Sequence, residues 1–186
     1  VTAHQKNDQA ETFLLRLLRG SGTRGLGGIR PLRDNILHPL LDFTGDELRQ
    51  YCRERRLKWC EDSSNQDTPL TRNRIRKQLL PLLAREFNPN IVETLTRTAN
   101  ILQQDAAYLA EAGNQAARRC LSDNNSGQVV CDVQVWGTLP AALQYRVLQE
   151  QWARLEPKRE LGSVHLQALY RVCQQETSGE RMILPG

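Results

Sequence analysis

From Ile91 to about Leu121 the chain runs without a proline and is rich in alanine, leucine and glutamine. No other stretch restricts the fold so strongly. Every backbone amide in it can donate along a helix, and its commonest residues lose little side-chain freedom there. Asn88-Pro89-Asn90 sets its start, and the polar run SDNNSGQ after Leu121 reads as a turn. QVVCDV then has the composition of a short β-like run. Two more helices are predicted, at Ala141 to Leu155 and near Val164 to Gln175.

The first half has another texture. Phe13, Leu14, Leu15, Leu17 and Leu18 predict a helix that stops at Gly20, where glycine can take the left-handed conformation. RGSGTRGLGG follows, and HPLLDF reads as extended because Pro39 disfavours helix before it. Thr44 and Glu47 have the spacing of a capping box for a helix ending near Arg56. LKWCED is a candidate strand and SSNQDTPLT a polar loop. TRNRIRKQLLPLLAREF gives a basic helix with an apolar stripe, broken or bent at Pro81. Residues 1–87 thus alternate short extended pieces with helices, as the edge of an α/β domain does, and residues 88–186 are mainly helical. The α/β part offers too few strands for a covered sheet, so the expectation is a fragment whose missing residues precede Val1.

Composition narrows the function classes. No run of about 18 apolar residues or secretory start is present, so no membrane partner is expected. The five cysteines are scattered without a C-x-x-C pair, which fits free thiols in a reducing cytoplasm rather than zinc or iron–sulfur work. The net charge of +4 is uneven: residues 1–87 carry +5 and residues 88–186 carry −1. That excess suits an anionic partner for the first half.

Three constellations could carry chemistry. In a helix beginning close to His4, positions 4, 8 and 11 share a face, which brings together His4, Asp8 and Glu11. Such a face is either a solvated first turn, favourable to carboxylates through the helix dipole, or one wall of a site beyond a strand end. The literal G-x-G-x-x-G at Gly20, Gly22 and Gly25 follows a helix rather than a strand, so it does not signal a dinucleotide. It reads as a flexible helix-ending connection or a mobile substrate loop. Arg72 and Arg76 share a helix face, either solvated or able to grip a carboxylate or phosphate in a bidentate fork. Trp59, Trp136 and Trp152 read as core or half-buried packing residues rather than base-stacking platforms, and the lone His38 and His165 as structural.

Taken in order, TAHQKNDQAET, RGSGTRGLGGI with RPL and ILHPLLDF, and DELRQYCRERRLKWCEDSSNQDTPLTRNRIRKQLLPLL resemble the tRNA(Ile)-lysidine synthetase family. The helical remainder, through LPAALQYRVLQEQW to RMILPG, resembles the family's next domain with weaker signatures. The resemblance implies an α/β fold, the C-terminal part of a PP-loop, Rossmann-type domain over 1–87, followed by a mainly α-helical tRNA- and substrate-binding domain over 88–186. It implies a cytoplasmic ligase that uses ATP, with Mg2+, to adenylate the wobble cytidine of tRNA(Ile) with a CAU anticodon. Free L-lysine then displaces AMP to form lysidine; a homodimer is left open. His4, Asp8 and Glu11 would be catalytic, with Asp8 and Glu11 holding the lysine amine and Arg76 its carboxylate. Arg72 and Asn73 would support them. The family commonly has histidine and aspartate where this chain has Gln5 and Asn7, which removes two titratable groups. Its S-G-G-x-D-S phosphate loop lies upstream of Val1, so the chain alone is expected to be inactive. The rival readings are a PP-loop tRNA thiolation enzyme and a non-catalytic helical tRNA-binding module.

Overall fold

The computed structural model describes residues 1–59, 70–123, 129–156 and 162–174. These form two compact units, Val1–Ala106 and Ala107–Gly186. In the first, helix α1 (Lys6–Leu18) buries Ala10, Phe13 and Leu14. It ends as its glycine predicts: Gly20 has φ +76°, and its N–H reaches the Leu17 carbonyl. The connection after it contains a short α2 (Thr23–Leu26) and leads to an antiparallel hairpin, β1 (Leu32–Arg33) with β2 (Ile36–Leu37). Leu32 faces Leu37 and Arg33 faces Ile36, so the two-residue turn Asp34-Asn35 closes the ladder, with Asp34 at φ +54°. HPLLDF is not extended, because the chain turns after His38 with the Phe43 amide donating to the Leu40 carbonyl.

Helix α3 (Gly45–Glu54) is capped as expected: Thr44 Oγ1 accepts from the Glu47 amide at 3.2 Å, and the Glu47 carboxylate accepts from the Thr44 amide at 2.6 Å. The carboxylate is held below its ordinary pKa, first by the Thr44 backbone amide and then by its hydroxyl. Leu57 to Trp59 form no strand; the rest of LKWCED, and SSNQDTPLT up to Pro69, lie outside the described residues.

The basic helix bends without breaking. It runs as α4 (Leu70–Arg74), a π-helical segment Ile75–Leu79 and α5 (Leu80–Glu86). Pro81 has no N–H for the carbonyl four residues back, and its ring crowds that carbonyl. The turn widens so that the Leu80 amide reaches the Ile75 carbonyl, five residues away. Ile75 and Leu80 pack with Ala10 and Leu14 of α1, and Ile91, Val92 and Leu95 close over them.

Those last three belong to α6 (Ile91–Cys120), the long helix expected from the proline-free run, whose first part lies in this unit. In the second unit a hairpin, β3 (Leu121–Asp123) with β4 (Val129–Cys131), pairs Leu121 with Cys131. Helices α7 (Val133–Gly137), α8 (Ala141–Leu155) and α9 (Ser163–Gln174) follow. Trp136 is 2% exposed at the centre of a core that includes Ala117, Cys120, Val147 and Leu148. Its indole N–H donates to the Gln144 carbonyl, and the Gln144 amide is satisfied by the Trp136 carbonyl and the Tyr170 hydroxyl. Among the described residues the strands form two antiparallel hairpins, with no parallel pair, so the predominance of helix is plain. No described helix is long and apolar enough to cross a membrane.

Candidate active site

The site is built where the start of α1 meets α4 and the π-helical segment. Gln5 caps α1 in an extended conformation, with φ −124° and ψ 176°. One Asp8 oxygen, Oδ2, turns back to accept the Gln5 amide at 3.0 Å, which fixes the carboxylate over the first turn. The Lys6 amide donates to the Phe43 carbonyl and the Gly45 amide donates to Asn7 Oδ1. The start of α1 is thereby tied to the start of α3. Gln5 and Asn7 act here as backbone anchors, a task that needs hydrogen bonding and no titratable group.

One helical turn on, Glu11 is 1% exposed. A carboxylate so buried needs a cationic partner, and it has two. Arg72 Nε donates to its Oε2 at 3.0 Å; Arg76 donates through Nε to Oε1 at 2.5 Å and through Nη2 to Oε2 at 3.0 Å. The second Asp8 oxygen, Oδ1, accepts from Nη2 of Arg72 at 3.1 Å and of Arg76 at 3.0 Å. Two carboxylates and two guanidiniums thus form one neutral cluster. The Arg76 guanidinium is pushed above its ordinary pKa, chiefly by its hydrogen bond to Glu11.

The expected helix face is therefore half right. Asp8 and Glu11 lie together, but α1 begins at Lys6, so His4 is outside the helix and off that face. Its Nδ1 is 2.8 Å from Thr2 Oγ1, and its ring centroid is 5.0 Å from that of the buried His38. Asn73 is half-buried in α4 beside Arg72. Arg72 bonds both carboxylates directly. The i, i+4 spacing with Arg76 was the signal for that. With both carboxylates engaged by guanidiniums, these residues do not fit a Mg2+ site, and no metal-binding cluster of His, Cys, Asp and Glu occurs among the described residues.

The glycine-rich connection is held rather than loose, contrary to the flexible link expected. The buried Gln9 side chain accepts the Ile29 amide at 2.6 Å and donates to the Gly27 and Ile29 carbonyls. Arg16 Nη1 donates to the carbonyls of Gly25 and Gly28. Gln103 of α6 donates to the same Gly27 and Ile29 carbonyls. Gly28 has φ +71°, and a Cβ there would collide with the Gln9 carboxamide. Sequence reading missed Gln9 altogether, because a glutamine at a helix start carries no signal until its partners are known.

Comparison with known proteins gives these residues a context. Residues 1–83 match a family described as a PP-loop domain, and residues 132–186 match the TilS substrate binding domain. The chain therefore joins a PP-loop segment to a substrate-binding segment. Proteins called tRNA(Ile)-lysidine synthase are similar along it. That of Solibacter usitatus is 50% identical over 108 residues, covering 58% of this chain and 24% of its own. That of Nostoc sp. is 38% identical over 166 residues, 81% of this chain and 48% of its own. That of Clostridium acetobutylicum is 30% identical over 184 residues, 98% of this chain and 40% of its own. The chain belongs to the tRNA(Ile)-lysidine synthase family, and it spans between a quarter and a half of the length of these relatives.

Proposed function

We propose that the protein carrying this chain ligates lysine to the wobble cytidine of tRNA(Ile) with a CAU anticodon, using ATP. The observation that carries this reading is the neutral cluster of Asp8, Glu11, Arg72 and Arg76, which joins the first and the last of the segments that carry the family resemblance. Such a cluster can trade its internal ion pairs for those of an amino acid that bears both charges. The carboxylates take the side-chain ammonium of lysine, and a released Arg76 fork takes its carboxylate. Exchange of this kind leaves no buried charge without a partner, the condition that makes a buried ionic site tolerable.

In the reaction, the 2-oxo oxygen of cytidine attacks the α-phosphorus of ATP and diphosphate leaves. The lysine ε-amine then attacks C2, and AMP departs as the C–N bond forms. Only the neutral amine is a nucleophile, and free lysine is almost wholly protonated near neutral pH. Asp8 and Glu11 are the nearest acceptors for the proton the nitrogen sheds during attack. His4 would lie toward the nucleotide or activated base. Residues 1–87 would supply the catalytic α/β, Rossmann-type portion and residues 88–186 the tRNA-facing helical part, in a cytoplasmic protein. Mg2+ would arrive with ATP, and no step is assigned to it.

The test is transfer of labelled lysine to a tRNA(Ile) CAU transcript by the full-length protein. Asp8→Asn and Glu11→Gln are expected to depress lysine transfer at least a hundredfold while adenylation of the tRNA, read as diphosphate release, falls far less. Unimpaired transfer in both variants would refute the assignment, as would a wild-type protein that releases AMP only in the presence of a sulfur donor.

A further inference from the structure

The C-terminal end of α3 and the segment after it, Tyr51–Trp59, read YCRERRLKW and take no part in the site above. Every residue from Arg53 to Trp59 is exposed. Arg53, Arg55, Arg56 and Lys58 place four cations against the single carboxylate of Glu54, and that carboxylate accepts a hydrogen bond from Gln50. None of the four cations forms an ion pair among the described residues. Aromatic groups are exposed at either end of them: Tyr51 is 52% exposed and Trp59 45%. Trp59 thus leaves nearly half of its surface to solvent, while Trp136 and Trp152 are buried. The Arg55 guanidinium already lies over the Tyr51 ring, 5.5 Å from its centroid.

Complementing the helix dipole explains only part of this. Cations help within the last turn, and α3 ends at Glu54 with Arg55 as its cap. Arg56 and Lys58 lie beyond it. Arg56 also occupies a left-handed position, φ +53°, where glycine is the usual residue. Cations without ion-pair partners, flanked by exposed aromatic rings, are the chemistry that holds single-stranded RNA, the cations on phosphates and a ring beneath an unstacked base.

We propose that Tyr51–Trp59 is an RNA-docking surface, with Arg53, Arg56 and Lys58 contacting the phosphates of a single-stranded stretch of the tRNA and Trp59 stacking on one of its bases. The proposal rests on tRNA being the substrate, and it adds where that substrate touches the catalytic half.

The experiment measures affinity of the full-length protein for a tRNA(Ile) CAU transcript across a salt series. Wild type is expected to bind with a steep salt dependence and to quench Trp59 fluorescence. The triple variant Arg53→Gln, Arg56→Gln, Lys58→Gln should bind at least tenfold more weakly. Its slope of log K against log salt should be shallower by about 2 to 3, from about 0.7–0.9 per lost phosphate contact. Trp59→Ala should weaken binding about tenfold with the slope unchanged, and Trp59→Phe should recover most of the loss. All positions are exposed, so circular dichroism should show unaltered folding. A wild type that makes lysidine while the triple variant binds with unchanged affinity and slope overturns the surface alone. A wild type that binds RNA through these residues yet makes no lysidine overturns the reading of function and supports the surface. Absence of wild-type binding to tRNA, or tighter patch-dependent binding to phosphatidylglycerol vesicles than to tRNA, overturns the surface.

Discussion

Removing the Glu11 carboxylate should destabilise the protein more than removing either arginine that grips it. Glu11 is 1% exposed and accepts three guanidinium hydrogen bonds, whereas the Arg72 and Arg76 side chains are 26% and 35% exposed. Breaking a fully buried pair costs about 3–5 kcal/mol, because the survivor is stranded in low dielectric. Here the survivors of Glu11→Ala reach water, so the electrostatic part falls to about 2 kcal/mol. Loss of the buried side-chain methylenes adds about 1 kcal/mol. A total near 3 kcal/mol is expected for Glu11→Ala. Arg76→Ala should cost about half as much, since Arg72 still serves Glu11. Urea unfolding of wild type, both single variants and the double variant gives the coupling directly. A value of about 1–2 kcal/mol is expected, well above the few tenths typical of independent sites. It should survive 0.5 M salt, because partly buried pairs are screened weakly. Coupling below about 0.5 kcal/mol, or equal costs for the two single variants, would refute the view that these groups form one buried ionic unit.

Two other outcomes follow from the same packing. Gly28→Ala should lower stability by about 2–3 kcal/mol, combining the penalty for a left-handed alanine with displacement of Gln9; a melting temperature equal to wild type would refute the clasp. Burial pushes the Cys131 thiol up to about 12, with Cys173 and Cys120 nearby contributing. The folded state thus favours the protonated thiol, so this contribution is intact below the unfolded value of about 8.5 and is lost as pH rises toward 12. Cys131→Val should flatten the alkaline loss of stability, and native Cys131 should react with a thiol reagent at pH 8 far more slowly than the same thiol in urea-unfolded protein.

Local chemistry made much of the fold legible. The Gly20 stop, the Thr44–Glu47 cap, the long α6 and the start of α8 all depend on interactions within a few residues, which sequence spacing records. β4 falls inside the β-like run QVVCDV, but β1, β2 and β3 escaped notice because strands of two or three residues carry too little periodicity to detect. HPLLDF was misjudged as extended because Pro39 only discourages helix; it does not choose between strand and turn.

The site divides in the same way. Sequence by itself determined that Asp8 and Glu11 lie one turn apart on α1 and that Arg72 and Arg76 share a face, since helical spacing fixes both. It could not decide that the two pairs meet across more than sixty positions of chain, with Arg72 as full a partner as Arg76. That depended on burying Ala10 and Leu14 against Ile75 and Leu80, which sets one helix on the other and brings the two pairs of charges within hydrogen-bonding reach. Nor could it place His4 beside His38, or say which tryptophans are buried and which is half-exposed, because burial is a property of what surrounds a residue and not of the residue's type.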